Sequence, residues 1–453
     1  MSRKPQNRVL LSETIDTLID ELSLIFSGIE KVSVEDYDQL RHTDDPPSAE
    51  TQERTFVAWN EPSNLLFVFL WSPSQADEAP PLKAISLRTA QKPQAYDLKF
   101  ANKYLRVFHS DMEAAPSTLE DDEHWNVLTL SRPVRAISRT ASFNTSALLR
   151  CIFLMESAFH LKYEGEDFYA SVVLKQHWKR DDTNSQYIWL KEPMPFSAII
   201  HEKWLRAISC QEGIGLISNL HSVLAVASLP GGPVDTVDGG NLLLPSELRR
   251  IKVAMQVHGT RALVRSKNGD FFFVNPNASF VMTQGRWHYR NYRYFSSLLA
   301  ENLEAKISAY ILQLIVDLSH GRHGALICVP FNATDIKKLV ADHELAGRAN
   351  QALRQTASLL RIEDESHRKI LHAAAGIDGA IIISTSGAVL DVACMIQNRE
   401  DSEITALGVR RVVFPGARSN AAWNASLSGI AIKVSEDGPV TFFRKGQLVA
   451  QIG

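Results

Sequence analysis

The chain has 453 residues, 45% of them hydrophobic and 22% charged, with a formal net charge of −3. That is an ordinary globular balance with room for two to four domains, and it offers no global basic field for nucleic acid or an anionic membrane. Cys151, Cys210, Cys328 and Cys394 stand singly among apolar neighbours, without a CxxC pair or Cys/His ligand spacing, and read as core thiols of a reducing cytosol.

The opening MSRKPQNRVLLSETIDTLIDEL has no long apolar leader segment, and no apolar run approaches the roughly 20 residues of a membrane helix. The expectation is a cytoplasmic protein without a membrane partner. Residues 12–29 start on Ser, keep helical apolar spacing and end near Gly, which predicts a helix. The polar RHTDDPPSAETQER is a loop, and TFVAWNEPSNLLFVFLWSP and LKAISLRT read as strands. Two polar breaks follow, SPSQADEAPP and DMEAAPSTLEDDEH. Residues 1–140 are therefore expected to form an α+β module of unassigned role.

From about Thr145 the texture changes. SALLRCIFLMESAFHL has a helical period, FYASVVLKQHW is strand-like, HEKWLRAISC is helical, and IGLIS and HSVLAVASL are strands. LPGGPVDTVDGGN reads as a loop, ELRRIKVAMQV as a helix, and RALVRSKNGDFFFV as a hairpin turning at Asn268-Gly269. The last third runs the same way: a long helix, LEAKISAYILQLIVDLSHG, then the strand GALICVPFN. The helix SHRKILHAAAG, the strands DGAIIIS and AVLDVACM, and the hairpin GIAIKVSEDGPVTFFRKGQLV complete it.

The two descriptions align. Residues 201–228 and 367–394 match at 11 of 28 positions without a gap, where chance gives about two. The matches include His201/His367, Lys203/Lys369, Gly213/Gly379, Ser218/Ser384 and Val226/Val392, and Glu212 falls opposite Asp378. After a three-residue slip, Ser266 falls opposite Ser435 and Gly269 opposite Gly438. Apolar matches are common between β-α modules, but His, Lys, Ser and an acid-Gly pair in one register point to duplication. Two such copies can pack as a pseudo-dimer. The expected layout is a module at 1–140, a first copy at 145–283, a linker helix at 284–307 and a second copy at 308–453. All are α/β or α+β, with each copy a mixed sheet flanked by helices.

Asp378-Gly379 stands at the mouth of the apolar run AIII. By itself such a pair reads as a turn, or as a carboxylate held at a strand end for a metal or nucleotide. The cluster QGRWHYRNYRYFSS, residues 284–297, interleaves Arg with aromatics, a pattern that fits either base stacking or the anchoring of a linker helix. DDEHW and HGRH contain potential ligands without ligand spacing. His201 and His367, early on helices, read as capping or packing residues.

HGALICV, IDGAIII, GARSNAAWNAS and IAIKVSEDGPVTFFRKGQL follow one another between about 308 and 453. In that order they resemble the diadenylate cyclase (DAC) domain of bacterial DNA-integrity scanning proteins and membrane cyclases. That family carries DGA, GTRHRAAxGxS and VVVSEExGxIS…GxL motifs. The resemblance implies a sheet that binds one ATP and, in active members, two domains face to face making cyclic di-AMP. It implies that Asp378 holds the metal and activates the hydroxyl. Asp378, Gly379, Ala380, Gly416, Arg418, Ser435 and Glu436 match the motifs and are the expected nucleotide contacts. Asp378 and Glu436 are the expected carboxylates for Mg²⁺ or Mn²⁺. Ile377 replaces the family's His before DGA, and Ala417, Ser419 and Asn420 replace Thr, His and the second Arg of GTRHR. In the first copy the counterparts are Glu212, Gly213 and Ser266, with Arg249 or Arg250 on the phosphate side. These departures predict a sensor of ATP, cyclic di-AMP or a related nucleotide, with an effector protein as partner and nucleic acid not expected. The alternatives are an active cyclase, in which Arg410, Arg411 or Lys433 replaces the missing groups, and a scaffold that binds no nucleotide.

Overall fold

The computed structural model describes residues 15–23, 25–26, 29–36, 55–61, 63–71, 82–89, 92–114, 122–159, 169–178, 187–211, 213–229, 242–255, 259–283, 285–340 and 351–452. The protein is α+β and forms two compact units. Unit 1 comprises Met1–Pro230 and Val253–Arg290, and unit 2 comprises Gly231–Lys252 and Asn291–Gly453.

Unit 1 begins with helix α1 over residues 15–23, inside the helix expected for 12–29. Four strands follow: β1 Glu30–Asp36, β2 Phe56–Asn60, β3 Leu65–Trp71 and β4 Leu82–Arg88. They form an antiparallel sheet of order β1-β4-β3-β2. Helices α2 Ala95–Ala114, α3 Asp122–Ala141 and α4 Thr145–Phe159 come next. The expected polar break DMEAAPSTLEDDEH is thus helical at both of its ends. Arg132, fully buried on α3, ties these elements together. Its Nε donates to Asp111 Oδ2 on α2 at 2.8 Å, its Nη1 donates to Glu21 on α1, and its guanidinium lies over the Phe108 ring. Burial pushes the Glu21 carboxyl up against the pull of Arg132.

The second sheet of unit 1 has eight strands: β5 Ala170–Leu174, β6 Tyr187–Pro195, β7 Ile214–Ser218, β8 Ser222–Ser228, β9 Arg261–Arg265, β10 Phe271–Asn275, β11 Ala278–Thr283 and β12 Arg286–Arg290. Helix α5, Lys203–Ser209, precedes β7. One apolar core runs from Ile15 and Leu22 through Leu66, Val68 and Phe100 to Val172, Phe273 and Phe280. The module at 1–140 and the first copy therefore share a core, where the sequence suggested separate domains.

Unit 2 holds helices α6 Arg293–Ala300, α7 Ala305–His320, α8 Gln351–Ala357, α9 Glu365–Ala374, α10 Asp401–Ala406 and α11 Ala417–Ser426. Its six strands are β13 Ala325–Pro330, β14 Ala380–Ile383, β15 Val389–Cys394, β16 Gly429–Val434, β17 Val440–Arg444 and β18 Gln447–Ile452. The stretch expected as a linker helix, 284–307, splits. Its start is strand β12, whose polar/apolar alternation has period 2, and α6 buries Phe295 against Phe442 in the core of unit 2.

The two sheets share one topology. The first contains the order β8-β7-β5-β9-β10-β11 and the second is β15-β14-β13-β16-β17-β18. In each, one pair is parallel, β5/β7 and β13/β14, and the others are antiparallel. Ser266 N donates to Asp270 O and Gly269 N to Ser266 O. Ser435 N and Gly438 N make the same two bonds, to Pro439 O and Ser435 O. Strands β6 and β12 are additions at the edges of the first sheet.

None of the four cysteines is in a disulfide, and burial pushes the Cys151 and Cys328 thiols up to about 12, so these two are inert at neutral pH. Buried Arg354 on α8 holds buried Asp391 on β15 through two bonds, Nε to Oδ1 at 2.7 Å and Nη2 to Oδ2. Arg354→Leu strands that carboxylate and is expected to cost about 3–5 kcal/mol, whereas adding Asp391→Leu should recover most of it. Urea midpoints of the single and double variants check this. Burial pushes the Asp391 carboxyl up, but the Arg354 bonds outweigh it and hold it below its ordinary value. Its contribution is thus present above the unfolded value of about 3.9 and is lost as pH falls through the lower folded value. Loss of stability in that acid window should be smaller in the double variant.

Candidate functional site

Strand register brings three distant motifs to one end of the second sheet. Leu326 of β13 pairs with Ala380 of parallel β14, so Gly324 and Asp378-Gly379 both precede strand starts at that end. Ala325 pairs with Val434 of antiparallel β16, so Ser435-Glu436 leaves the sheet there. Arg418, in the first turn of α11, reaches the same place. Its Nη1 donates to Glu436 Oε1 at 3.2 Å, and its Nη2 lies 3.9 Å from Asp378 Oδ1. Asp378 is 99% exposed, Glu436 73% and Arg418 36%.

Two glycines make this arrangement possible. Gly379 has φ +117°, and a Cβ there would overlap the Ala393 carbonyl carbon and lie 2.6 Å from Cys394 N. The backbone of β15 thus presses on the turn that presents Asp378. Gly324 is the floor: a Cβ would overlap Arg418 Nη1 and lie 2.8 Å from Glu436 Cγ. Gly416 caps α11 at φ +94°, a conformation that favours glycine. Ala380 is buried at the start of β14, and the Ser435 backbone closes the β16–β17 turn.

Of the residues that differ from the DAC pattern, Ile377 and Ala417 are exposed and Ser419 is buried. Asn420 Oδ1 accepts from Phe414 N at 2.8 Å, and its Nδ2 donates to Phe414 O and Gly416 O. This amide clamps its own loop. Arg411 bonds Asp401 and Arg399 O, which commits it elsewhere. Arg410 is exposed, and Lys433 lies within β16 opposite Leu326.

The first copy lacks this constellation among its described residues. Glu212 lies outside them. Gly213 keeps a positive φ of 81° and Ser266 closes the equivalent turn, but Lys267 stands where Glu436 does. Arg249 and Arg250, expected on the phosphate side of the first copy, belong to unit 2. There Arg249 Nη1 lies 3.6 Å from Glu365, Ser246 donates from N and Oγ to Asp317 of α7, and His320 Nε2 is 2.5 Å from Glu247.

Asp364, not His367, caps α9; His367 Nδ1 accepts from Arg361 N in the preceding loop, and His201 is exposed at the end of a short helix. Sequence reading passed over Gly324, whose signal was a glycine directly before the strand ALICVP. His323, read in HGRH as a ligand type without ligand spacing, has its ring 4.6 Å from that of His372, which the sequence did not single out. Burial, then the neighbouring His323, lowers the titration of His372. Among the described residues no group of three His, Cys, Asp or Glu side chains is placed to hold a metal alone. Asp378 and Glu436 nevertheless supply hard oxygen donors of the kind that share Mg²⁺ with a ligand's phosphates.

No protein-family model matches the chain, and no curated protein matches it. Among solved structures it is similar to a hypothetical membrane spanning protein from Bacillus cereus, at 22% identity over 35% of this chain and 69% of that one, with a TM-score of 0.25. Among the described residues no helix is long and apolar enough to cross a membrane.

The two glycines predict opposite outcomes. Gly379→Ala meets backbone at an unfavourable φ and should destabilise unit 2 by roughly 3 kcal/mol or more. Gly324→Ala meets only side-chain ends. It should cost under about 1 kcal/mol while opening the Arg418–Glu436 pair, since exposed pairs contribute little to stability. Thermal unfolding reads both variants.

Proposed function

We propose that unit 2 is a nucleotide-binding sensor of the DAC type, with Asp378, Arg418 and Glu436 as its phosphate and metal end. The observation that carries this reading is their convergence over Gly324 from three separated motifs. Exposed ion pairs stabilise a fold by about 1 kcal/mol at most, so folding gives little reason to assemble them. Two carboxylates and one guanidinium leave the cluster at net −1, which repels a phosphate. A divalent cation held by Asp378 and Glu436 would reverse that sign and neutralise the phosphates of a bound nucleotide. Arg418 would then turn its fork from Glu436 to a phosphate oxygen. Binding should therefore depend on Mg²⁺ or Mn²⁺.

Sensing is favoured over synthesis because Ala417, Ser419 and Asn420 supply no cation. Loss of a single transition-state donor costs about 3–4 kcal/mol. Phosphoryl transfer depends on charge neutralisation and positioning, whereas a sensor needs only differential affinity between two states. A cytoplasmic effector protein would read that difference.

The test is incubation of the purified chain with ATP and Mg²⁺ or Mn²⁺, product analysis by chromatography and mass spectrometry, and thermal unfolding with ATP and with cyclic di-AMP. The expected result is no product and a metal-dependent rise in melting temperature. A ligand at 100 times its Kd stabilises by about 2.7 kcal/mol. Asp378→Asn and Arg418→Gln should each weaken binding about tenfold or more without changing the unliganded melting temperature. A cyclic dinucleotide that disappears in Asp378→Asn would replace this reading with an active diadenylate cyclase. No shift with any nucleotide would leave the scaffold.

A further inference from the structure

The stretch Arg286-Trp287-His288-Tyr289-Arg290 is strand β12, the last strand of the eight-stranded sheet. Its alternation sorts the cluster by chemistry. Trp287 and Tyr289 turn into the core of unit 1, where Tyr289 Oη donates to Asp97 and the ring packs on Phe100 and Phe280. Arg286, His288 and Arg290 share the opposite face. The residues directly across on β11 are Thr283, Val281 and Ser279, with no carboxylate among them. None of the three side chains has a hydrogen-bond or ion-pair partner among the described residues, and Arg290 Nη1 is buried without one. Burial, with the Arg290 and Arg286 charges, pushes His288 down to about 4, so its ring is neutral at neutral pH and contributes a donor, not a charge.

A partly buried guanidinium with no counter-charge among the described residues is costly to leave unmatched. An anion from outside the chain would supply that partner. Side chains at i, i+2 and i+4 on one strand face lie about 7 Å apart. That is wider than the phosphates of one nucleoside triphosphate, which share bridging oxygens. It matches successive phosphates along an extended nucleic-acid strand, one per sugar. Because both aromatics face the core, no base can stack on them, so the contact reads backbone and not sequence.

We propose that the Arg286–His288–Arg290 face of β12 binds the phosphate backbone of single-stranded nucleic acid. The net charge of −3, which argued against such a partner, averages over the chain and does not describe this strand. The site is independent of the nucleotide site of unit 2.

The test uses the full chain and a fluorescein-labelled oligothymidylate, followed by anisotropy through a salt titration. Two arginines on phosphates predict a slope of log K against log salt near −1.4, each contact contributing about −0.7. Arg286→Gln and Arg290→Gln should each weaken binding roughly three- to tenfold and remove about half of that slope. Arg290→Lys should keep most of it, and melting temperatures report that each variant is folded. Arg286 is exposed, so its variant tests the site even where Arg290→Gln disturbs the strand. Saturable binding with these slopes supports the proposal. No binding at low salt, an unchanged slope in folded Arg286→Gln, tighter binding of a duplex of equal length, or equal competition by ATP at matched charge would each overturn it.

Discussion

The second sheet depends on one close approach: the backbone of Gly379 against that of Ala393 and Cys394. No residue with a Cβ fits between them. The turn before β14 is thereby pressed onto β15, and Asp378 is left projecting from the sheet end at nearly full exposure. Gly324 performs a matching service at the start of β13, leaving the gap in which Arg418 and Glu436 meet. The candidate site is thus built where side chains are missing. Its charged side chains are exposed or half-exposed, and strand register and two glycines fix where they lie.

Much of the fold was legible because its signals are local. The period of helix Ala305–His320, the Asn268-Gly269 turn and the apolar run AIII each depend on a few neighbouring residues. The duplication was legible because Gly, Ser and His recur in one register, and the common strand order of the two sheets follows it. What was not legible is non-local. Nothing in residues 284–307 shows that Trp287 meets a core begun by Ile15, so the period-2 alternation of β12 was lost in a helical expectation. Nothing in 242–252 shows that Ser246 and Glu247 find Asp317 and His320, some seventy residues on. At the site, the motif residues Asp378, Arg418 and Glu436 were legible one by one. Gly324 was not, because its role is to be absent from a space that two later residues fill.

The side chain at position 420 is committed to its own loop. Asn420 uses both ends of its amide on Phe414 and Gly416, which stiffens the loop leading into α11. Arginine could not repeat this, since it has no acceptor for Phe414 N. The loop is therefore held by neutral hydrogen bonds, and Asn420 adds no charge next to Arg418.

The first copy serves as an internal control for this reading. It has the same strand order, the same parallel pair and the same two turn bonds at Ser266 and Gly269 as at Ser435 and Gly438. It does so with Lys267 where the second copy has Glu436. One backbone therefore folds with opposite charges at the same turn, and the fold does not require the acid. A feature that a duplicated scaffold can lose without losing its topology is not there to build the scaffold. Exposed charges at this turn contribute little to folding, and the described residues of the first copy keep the same turn with a lysine in place of the acid.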